Sequence, residues 1–365
     1  MIRKLQRYLV PGLVIQAVLV GGGYATGREL VEFFLSLGPA AGLLGMIFTA
    51  LLFSSGAMIS FELARRFRTY DYDSFTKLFL GRFRALFEVG YLVGLVLVLA
   101  VISAAAGELL LSLIGGLRWL SEALFMMSVA VVVFFGNRFV ERVISAWSII
   151  FYITYGLLFI LVAGRFGASL QWAIASESIR PAAALWNGLS YAAYNIPLLP
   201  VLIFVARNFE SRREALIAGG LAGPLILLPG FAFLLTLSAF YPGILTATLP
   251  VRVVLDRLGY PGLALAVRLV ILGALIKTGA GPLHGFNERL ARCAADRSKP
   301  LPQALRPMVA MALMTIANFA ATRIGLVDLI GKGYRYSAVY YLIVLVIPLL
   351  TVGLWRLLPR PVVPA

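Results

Sequence analysis

Long apolar runs separated by short polar connections organise this sequence from one end to the other. Ten runs approach or exceed the ~20 residues that a helix needs to cross the hydrocarbon core of a bilayer. They cover roughly residues 8–36, 40–66, 85–115, 119–136, 142–165, 183–206, 213–241, 262–290, 305–322 and 336–357. Leu, Val and Ala dominate them, and the two-residue alternation of a barrel strand is missing. The pattern predicts an all-α membrane protein with ten transmembrane helices, in a single transmembrane domain over residues 1–365.

Composition strengthens this reading. Of 365 residues, 61% are hydrophobic and 13% charged, with a mean hydropathy of +0.93, whereas soluble domains are about a quarter charged. Lipid is the expected solvent. The net charge of +16, from 32 Lys and Arg against 16 Asp and Glu, raises nucleic acid as a partner. The basic residues, however, sit in short clusters between apolar runs, which is how membrane topology is encoded, and nucleic acid is not expected. Clusters within 3–7, 65–84, 138–142, 207–213, 289–306 and 356–360 fall on one side of a ten-span chain and outnumber those on the other. This places both termini in the cytoplasm and the protein, multi-pass, in the plasma (inner) membrane. No cleavable leader is expected ahead of the first run. Cys293 is the single cysteine, with no disulfide partner and no metal-ligand pattern, so no metal or cofactor is expected.

Two runs are interrupted where a simple anchor would be continuous. The first reads LVIQAVLV-GGGYATG-RELVEFFLSL, and Gly21, Gly22 and Gly23 at its middle each weaken a helix by about 1 kcal/mol. Thr26 and Glu29 follow as a T-x-x-E capping box, which predicts a new helix starting at mid-membrane. The sixth reads ALWNGLSYAAYNIPLLPVLIFVARN, where Pro197 and Pro200 each remove a backbone donor. Asn195 is placed to cap the half-helix after them.

Close packing at glycine and ordinary proline kinks would explain either break alone. The pair says more, because span 1 opens the first five spans and span 6 the second five, and two sets of five must run in opposite senses. A second echo supports a repeat. SFTKLFLGRF after the second run and LPVRVVLDRLGY after the seventh are short amphipathic stretches ending at Gly81 and Gly259, 178 positions apart. Inverted repeats over roughly 8–165 and 183–357, with discontinuous helices in matching places, point to a secondary transporter with its site at the midplane. Unwound backbone in lipid must line a cavity and find partners. Half-helix N-termini suit a carboxylate and bare carbonyls suit a cation, a combination that fits an amino-acid-like or amine-bearing ligand.

Ten spans in two inverted fives, broken at spans 1 and 6, resemble the LeuT fold of the amino acid–polyamine–organocation superfamily. The strings VGGGYATGRELVEFF and IKTGAGPLHGFNERL are similar to the YkvI-type bacterial membrane proteins within it. The architecture covers nearly the whole chain, the motifs only these two segments, so the resemblance implies fold and transporter class rather than cargo. It implies a substrate held between spans 1, 3, 6 and 8, and a sodium site between spans 1 and 8. Carried onto this sequence, the substrate walls are Gly21, Gly22, Gly23, Ala25, Thr26 and Gly27 of span 1, Ser103 of span 3, and Tyr191, Tyr194 and Asn195 of span 6. Spans 1, 2, 6 and 7 are implied to rock against spans 3, 4, 5, 8, 9 and 10.

Ionisable groups at membrane depth cost at least ~2.5 kcal/mol and need a partner or a role. Lys277, beside Thr278 near the middle of span 8, departs from the small hydroxyl residues of sodium-coupled relatives. Its ammonium could replace sodium by bonding the span-1 carbonyls and exchange a proton during transport; the alternative is a structural pair with a carboxylate on another span. Arg28 and Glu29 read equally as gate residues or as an i,i+4 pair (Arg28 with Glu32) and a cap (Glu29). Glu108, in the outer half of span 3, would partner Arg28 or Arg268 in an outer gate or form a purely structural pair. His284, seven residues beyond Lys277, is a core histidine or a proton relay.

No phosphate-binding loop, metal-protease motif or nucleophile–base constellation is present, so no enzyme is expected. The leading expectation is a secondary transporter of a small amino-acid-like or amine-bearing solute, coupled to protons or to no ion. The alternatives are a non-transporting ligand sensor on the same fold, like germinant-receptor subunits, or a sodium-coupled symporter.

Overall fold

The computed structural model describes residues 2–135, 137–175, 179–295 and 305–358, and no strand occurs among them. Among the described residues, six helices are long and apolar enough to cross a membrane: Pro39–Phe67, Tyr72–Ile114, Ile149–Ala175, Arg212–Ser238, Pro261–Leu283 and Leu326–Leu357. Arg7–Leu19 and Met308–Ile324 are shorter apolar helices. The first and sixth spans fall short of that length because each is divided. Span 1 comprises Ile2–Leu19, Gly22–Thr26 and Arg28–Phe33, and span 6 comprises Pro181–Asn195, Leu198–Val201 and the 3-10 segment Ile203–Asn208. Span 2 is Pro39–Phe67, span 3 Arg84–Ile114, span 4 Arg118–Phe135, and span 5 Asn137–Ala175. Span 7 is Arg212–Ser238, span 8 Pro261–Ala295, span 9 Leu305–Ile324, and span 10 runs over Leu326–Leu357.

The fold is the expected all-α arrangement of ten spans in two fives. Its second echo is also present. Tyr72–Leu80 after span 2 and Pro250–Leu258 after span 7 are amphipathic nine-residue helices, and Gly81 and Gly259 end them with positive φ (53° and 72°). Two boundaries move. Span 10 begins ten residues earlier than its apolar run, because the helix Leu326–Asp328, the π-helical segment Leu329–Gly333 and the helix Tyr334–Tyr341 follow one another and carry Asp328, Lys332 and Arg335 inside the span. Span 5 continues beyond residue 165 through a kink at Phe166 (φ −125°, ψ 24°).

Helices in lipid gain little from apolar burial against one another, so backbone approach and interhelical hydrogen bonds decide which of them pack. Span 7 lies most extensively against spans 2 and 1, while span 9 lies against spans 3 and 4. The span 2–7 contact is built on Gly219 and Gly223, four apart. A methyl group at Gly223 would come within 2.0 Å of the Ala50 carbonyl oxygen, and one at Gly219 within 2.5 Å of the Met58 backbone. Span 7 also holds Pro224 and Pro229, each of which denies a hydrogen bond to the carbonyl four residues earlier. Other spans take up those carbonyls: Ser54 Oγ of span 2 donates to Gly220 (2.8 Å) and the Tyr152 hydroxyl of span 5 to Leu225 (2.5 Å). Such interhelical bonds contribute roughly 0.6 kcal/mol each.

Candidate functional site between the broken spans

Span 1 unwinds twice. At the first break the Gly21 N–H donates to the Leu19 carbonyl (2.7 Å), two residues back, and Gly21 itself is extended (φ −100°, ψ −163°). The second break is Gly27, left-handed at φ 85°, where a side chain would be strained and would meet Phe233 and Leu237 of span 7 at 3.1 Å. This second turn overturns the expected capping box. It uncouples Thr26 from Arg28–Phe33, so Gly27 becomes the N-cap without a side-chain bond, and the Thr26 hydroxyl turns back to the Gly23 carbonyl (3.0 Å). Glu29 does not cap its own helix. Its carboxylate accepts the Tyr194 hydroxyl of span 6 (2.5 Å), and the residue is 5% exposed.

The span-6 break is milder. Ile196 and Pro197 keep right-handed angles, and the chain merely loses the bonds that Pro197 and Pro200 cannot donate. Leu199 N–H takes the Ile196 carbonyl (2.9 Å). Asn195 does not cap the following half-helix as expected: its Nδ2 donates back to the Tyr191 carbonyl (3.0 Å), because it ends Pro181–Asn195 and the next residues stay helical.

Side chains from spans 5 and 8 bond backbone carbonyls beside the two breaks of span 1. Lys277, 3% exposed, donates from Nζ to the carbonyl of Ala17 and lies 5.5 Å from the centre of the Phe151 ring. This is the predicted bond from a tethered ammonium to a span-1 carbonyl. The alternative, a carboxylate partner, is not found among the described residues. Tyr155 Oη donates to the Ala25 carbonyl (3.0 Å), and its ring stacks between Phe151 (5.4 Å) and Phe233 (4.5 Å). Thr278 lies against Gly21, where a methyl group would sit 3.0 Å from Thr278 Cγ2, and its hydroxyl has no hydrogen-bond partner.

A cavity of about 330 Å³ occupies the space these groups enclose. Gly21, Gly22, Glu29, Tyr194, Asn195, Lys277 and Thr278 all line it, so seven sequence-predicted residues from three distant segments meet there. The rest of the wall is Val18 and Leu19, Tyr91, Gly94, Leu95, Leu97 and Val98 of span 3, Pro197, Leu198, Val201 and Leu202 of span 6, Gly281 and Pro282 of span 8, and Tyr334, Ser337 and Tyr341 of span 10. These segments place the cavity between the breaks and the face that carries the N-terminus. At its far end Tyr194 stacks on Tyr334 (4.6 Å, 18°) and on Phe33 (5.4 Å, 29°). Beyond that layer, Arg335 donates to Asn187 Oδ1 (3.1 Å) and pairs with Glu32 (3.7 Å).

Other predicted residues lie elsewhere. Gly23, Ala25, Thr26 and Gly27 are buried in the span-1 core behind the lining. Tyr191 packs edge-on to Phe33 (5.6 Å) and against Phe34 (4.9 Å). Ser103 donates to Asn318 Oδ1 of span 9 (2.8 Å), whose Nδ2 donates to Glu122 of span 4 (2.8 Å). Neither expected outer-gate pair forms. Glu108 pairs with Arg118 (3.0 Å) and Arg268 with Asp256 (3.6 Å), each taking a partner nearer in the fold. Arg28 pairs with Glu32 (2.9 Å) one turn on and donates to the Leu245 and Ala247 carbonyls. His284 lies on span 8, with its side chain outside the described residues.

Tyr155, Tyr334 and the Ala17 carbonyl were missed from sequence. For Tyr155 the signal was its place in FYITY, deep inside an apolar run. Tyr334 was hidden because it fell before the predicted start of span 10, and nothing in the sequence marks a particular carbonyl.

No protein-family model matches the chain. It is 26% identical over 307 residues to the uncharacterized membrane protein YkvI of Bacillus subtilis (strain 168), covering 78% of this chain and 82% of that one. Among solved structures, it aligns with MhsT in complex with L-phenylalanine at a TM-score of 0.61 and 17% identity, over 92% of this chain and 86% of that. The manganese transporter of Eremococcus coleocola, in complex with an aromatic bis-isothiourea substituted compound, aligns at 0.56 and 17%, over 95% and 78%. The resemblance to YkvI and the LeuT-like fold expected from sequence are thereby borne out.

Proposed function

We propose that the protein is a secondary transporter of the amino acid–polyamine–organocation type, moving a small amine-bearing or amino-acid-like solute across the plasma membrane by alternating access. One observation carries this reading: a cavity bounded by the breaks of both span 1 and span 6, with a buried carboxylate and a buried ammonium in its wall. Backbone unwound at membrane depth requires a polar surface to face, and a solute site supplies one. The structural neighbours are named as a transporter and as a protein holding L-phenylalanine, which supports a small-solute carrier on this fold.

Lys277 is the basis for coupling to protons, or to no ion, rather than sodium. Its ammonium already satisfies the Ala17 carbonyl, beside the Thr278 hydroxyl, where a sodium ion would otherwise bind span 1 to span 8. Arg28, Glu32 and Arg335 form the closure on the face opposite the N-terminus, joining span 1 to span 10 and to the segment after span 7. With the N-terminal face taken as cytoplasmic from the distribution of basic residues, this reading makes the conformation an inward-facing one.

The test is uptake by the purified protein in proteoliposomes, with proton and sodium gradients imposed separately. Saturable uptake that a sodium gradient does not accelerate is the expected result. Saturable binding without flux under any gradient would instead make the protein a ligand sensor, and strict sodium dependence would remove the role given to Lys277.

A further inference from the structure

We infer that the solute is an ammonium-bearing molecule with an apolar body and no carboxylate beside its amine, and that Glu29 is its counter-ion. This deepens, and rests on, the reading of the cavity as the transport site. A zwitterionic amino acid needs two complementary places: an anionic one for its ammonium and a cationic or N–H-rich one for its carboxylate. In this cavity the second place is already filled by the protein itself. Glu29 folds back against the first turn of the short helix Gly22–Thr26, its Oε1 set over Gly23, so the place that the span-1 break would offer a ligand carboxylate is occupied by a protein carboxylate. The fold makes room for this. A methyl group at Gly23 would lie 2.3 Å from Glu29 Oε1 and 2.6 Å from its Cγ, so only glycine lets the carboxylate take this position.

The lining cation is also committed. Lys277 gives its ammonium to the Ala17 carbonyl and faces the Phe151 ring. Glu29, by contrast, forms no ion pair with any Lys or Arg among the described residues, and neighbouring Arg28 gives its two terminal nitrogens to Glu32, Leu245 and Ala247. A negative charge with a hydrogen-bond donor but no countercharge, beside the aromatic pair Tyr194 and Tyr334, is the setting that attracts an ammonium. The wall on the other side, from Leu95 and Val98 to Leu198 and Val201, is apolar and suits a hydrocarbon body.

Calorimetric titration of the purified protein with 2-phenylethylamine, phenylalanine and 3-phenylpropanoate decides the point. The three share one apolar body and differ in carrying the ammonium alone, both charges, or the carboxylate alone. The amine should bind and the other two should not. Glu29→Gln should weaken the amine by about tenfold or more, the scale of a lost charge-assisted bond, and Gly23→Ala should do the same by displacing the carboxylate. Preferential binding of phenylalanine or phenylpropanoate, binding of none of the three, or unchanged amine affinity in a folded Glu29→Gln protein would overturn the inference. If Glu29→Gln does not fold, the three-ligand series on the unmodified protein decides alone. A protein that binds the amine through Glu29 yet moves nothing in proteoliposomes keeps this assignment and loses the transporter reading. One that carries phenylalanine undiminished by Glu29→Gln does the reverse.

Discussion

The two broken spans solve the same problem in different ways. Span 6 loses two donors to proline and repairs itself locally: Asn195 bonds back to Tyr191, and Leu199 takes the Ile196 carbonyl. Span 1 unwinds at Gly21 and again at Gly27, and is held by groups that belong to other spans, Lys277 from span 8, Tyr155 from span 5 and Tyr194 from span 6. A break repaired from within can move as one piece with its helix. A break held from outside registers the position of every span that holds it. In this molecule span 1 is thereby tied to three other spans, by Lys277 of span 8, Tyr155 of span 5 and Tyr194 of span 6.

That contrast can be broken by mutation. The largest effect belongs to Lys277→Met, which removes a charge-assisted bond worth roughly 1.5–3 kcal/mol and leaves the Ala17 carbonyl unpaired. The apparent melting temperature in detergent should fall further than for any other substitution in the cavity wall, and solute affinity of the unmodified protein should be the same with and without sodium. Next comes Tyr155→Phe, a loss of about 1 kcal/mol for the bond to Ala25, measured by the same thermal unfolding. Asn195→Ala should cost less than Tyr155→Phe, because its bond closes within one helical turn; an equal or larger loss would erase the distinction between the two breaks. The smallest effect is that of Ser103→Ala. Its bond to Asn318 contributes roughly 0.6 kcal/mol, and because it faces span 9, titration should show an unchanged solute affinity.

The sequence was most legible where chemistry departs from apolarity. Glycines 21–23 and the two prolines announced the breaks, and a lysine in the middle of span 8 announced its own bond to span 1. Partners were much harder to read. Glu108 and Arg268 found Arg118 and Asp256, and Arg28 took the near pair with Glu32, because proximity in the fold outranks charge complementarity along the chain. The role of Glu29 was obscured by a local rule. T-x-x-E reads as a cap only if the helix runs continuously from Thr26, and the left-handed turn at Gly27 prevents that. Tyr334 was lost for a different reason: it precedes the apolar run at 336–357, and span 10 starts ahead of that run at Leu326.

Alternating access requires that one cavity, between the two breaks, be reached from each face in turn. With Cys293, the single native cysteine, replaced by Ser, a Leu198→Cys substitution puts one thiol in the cavity wall. Its modification by a membrane-impermeant reagent can be followed in vesicles of known orientation. Modification is expected from the face that carries the N-terminus, shifting to the opposite face when Arg335→Ala removes the Glu32 and Asn187 contacts that close it. Modification from the N-terminal face alone, in both proteins and with or without bound solute, would contradict it.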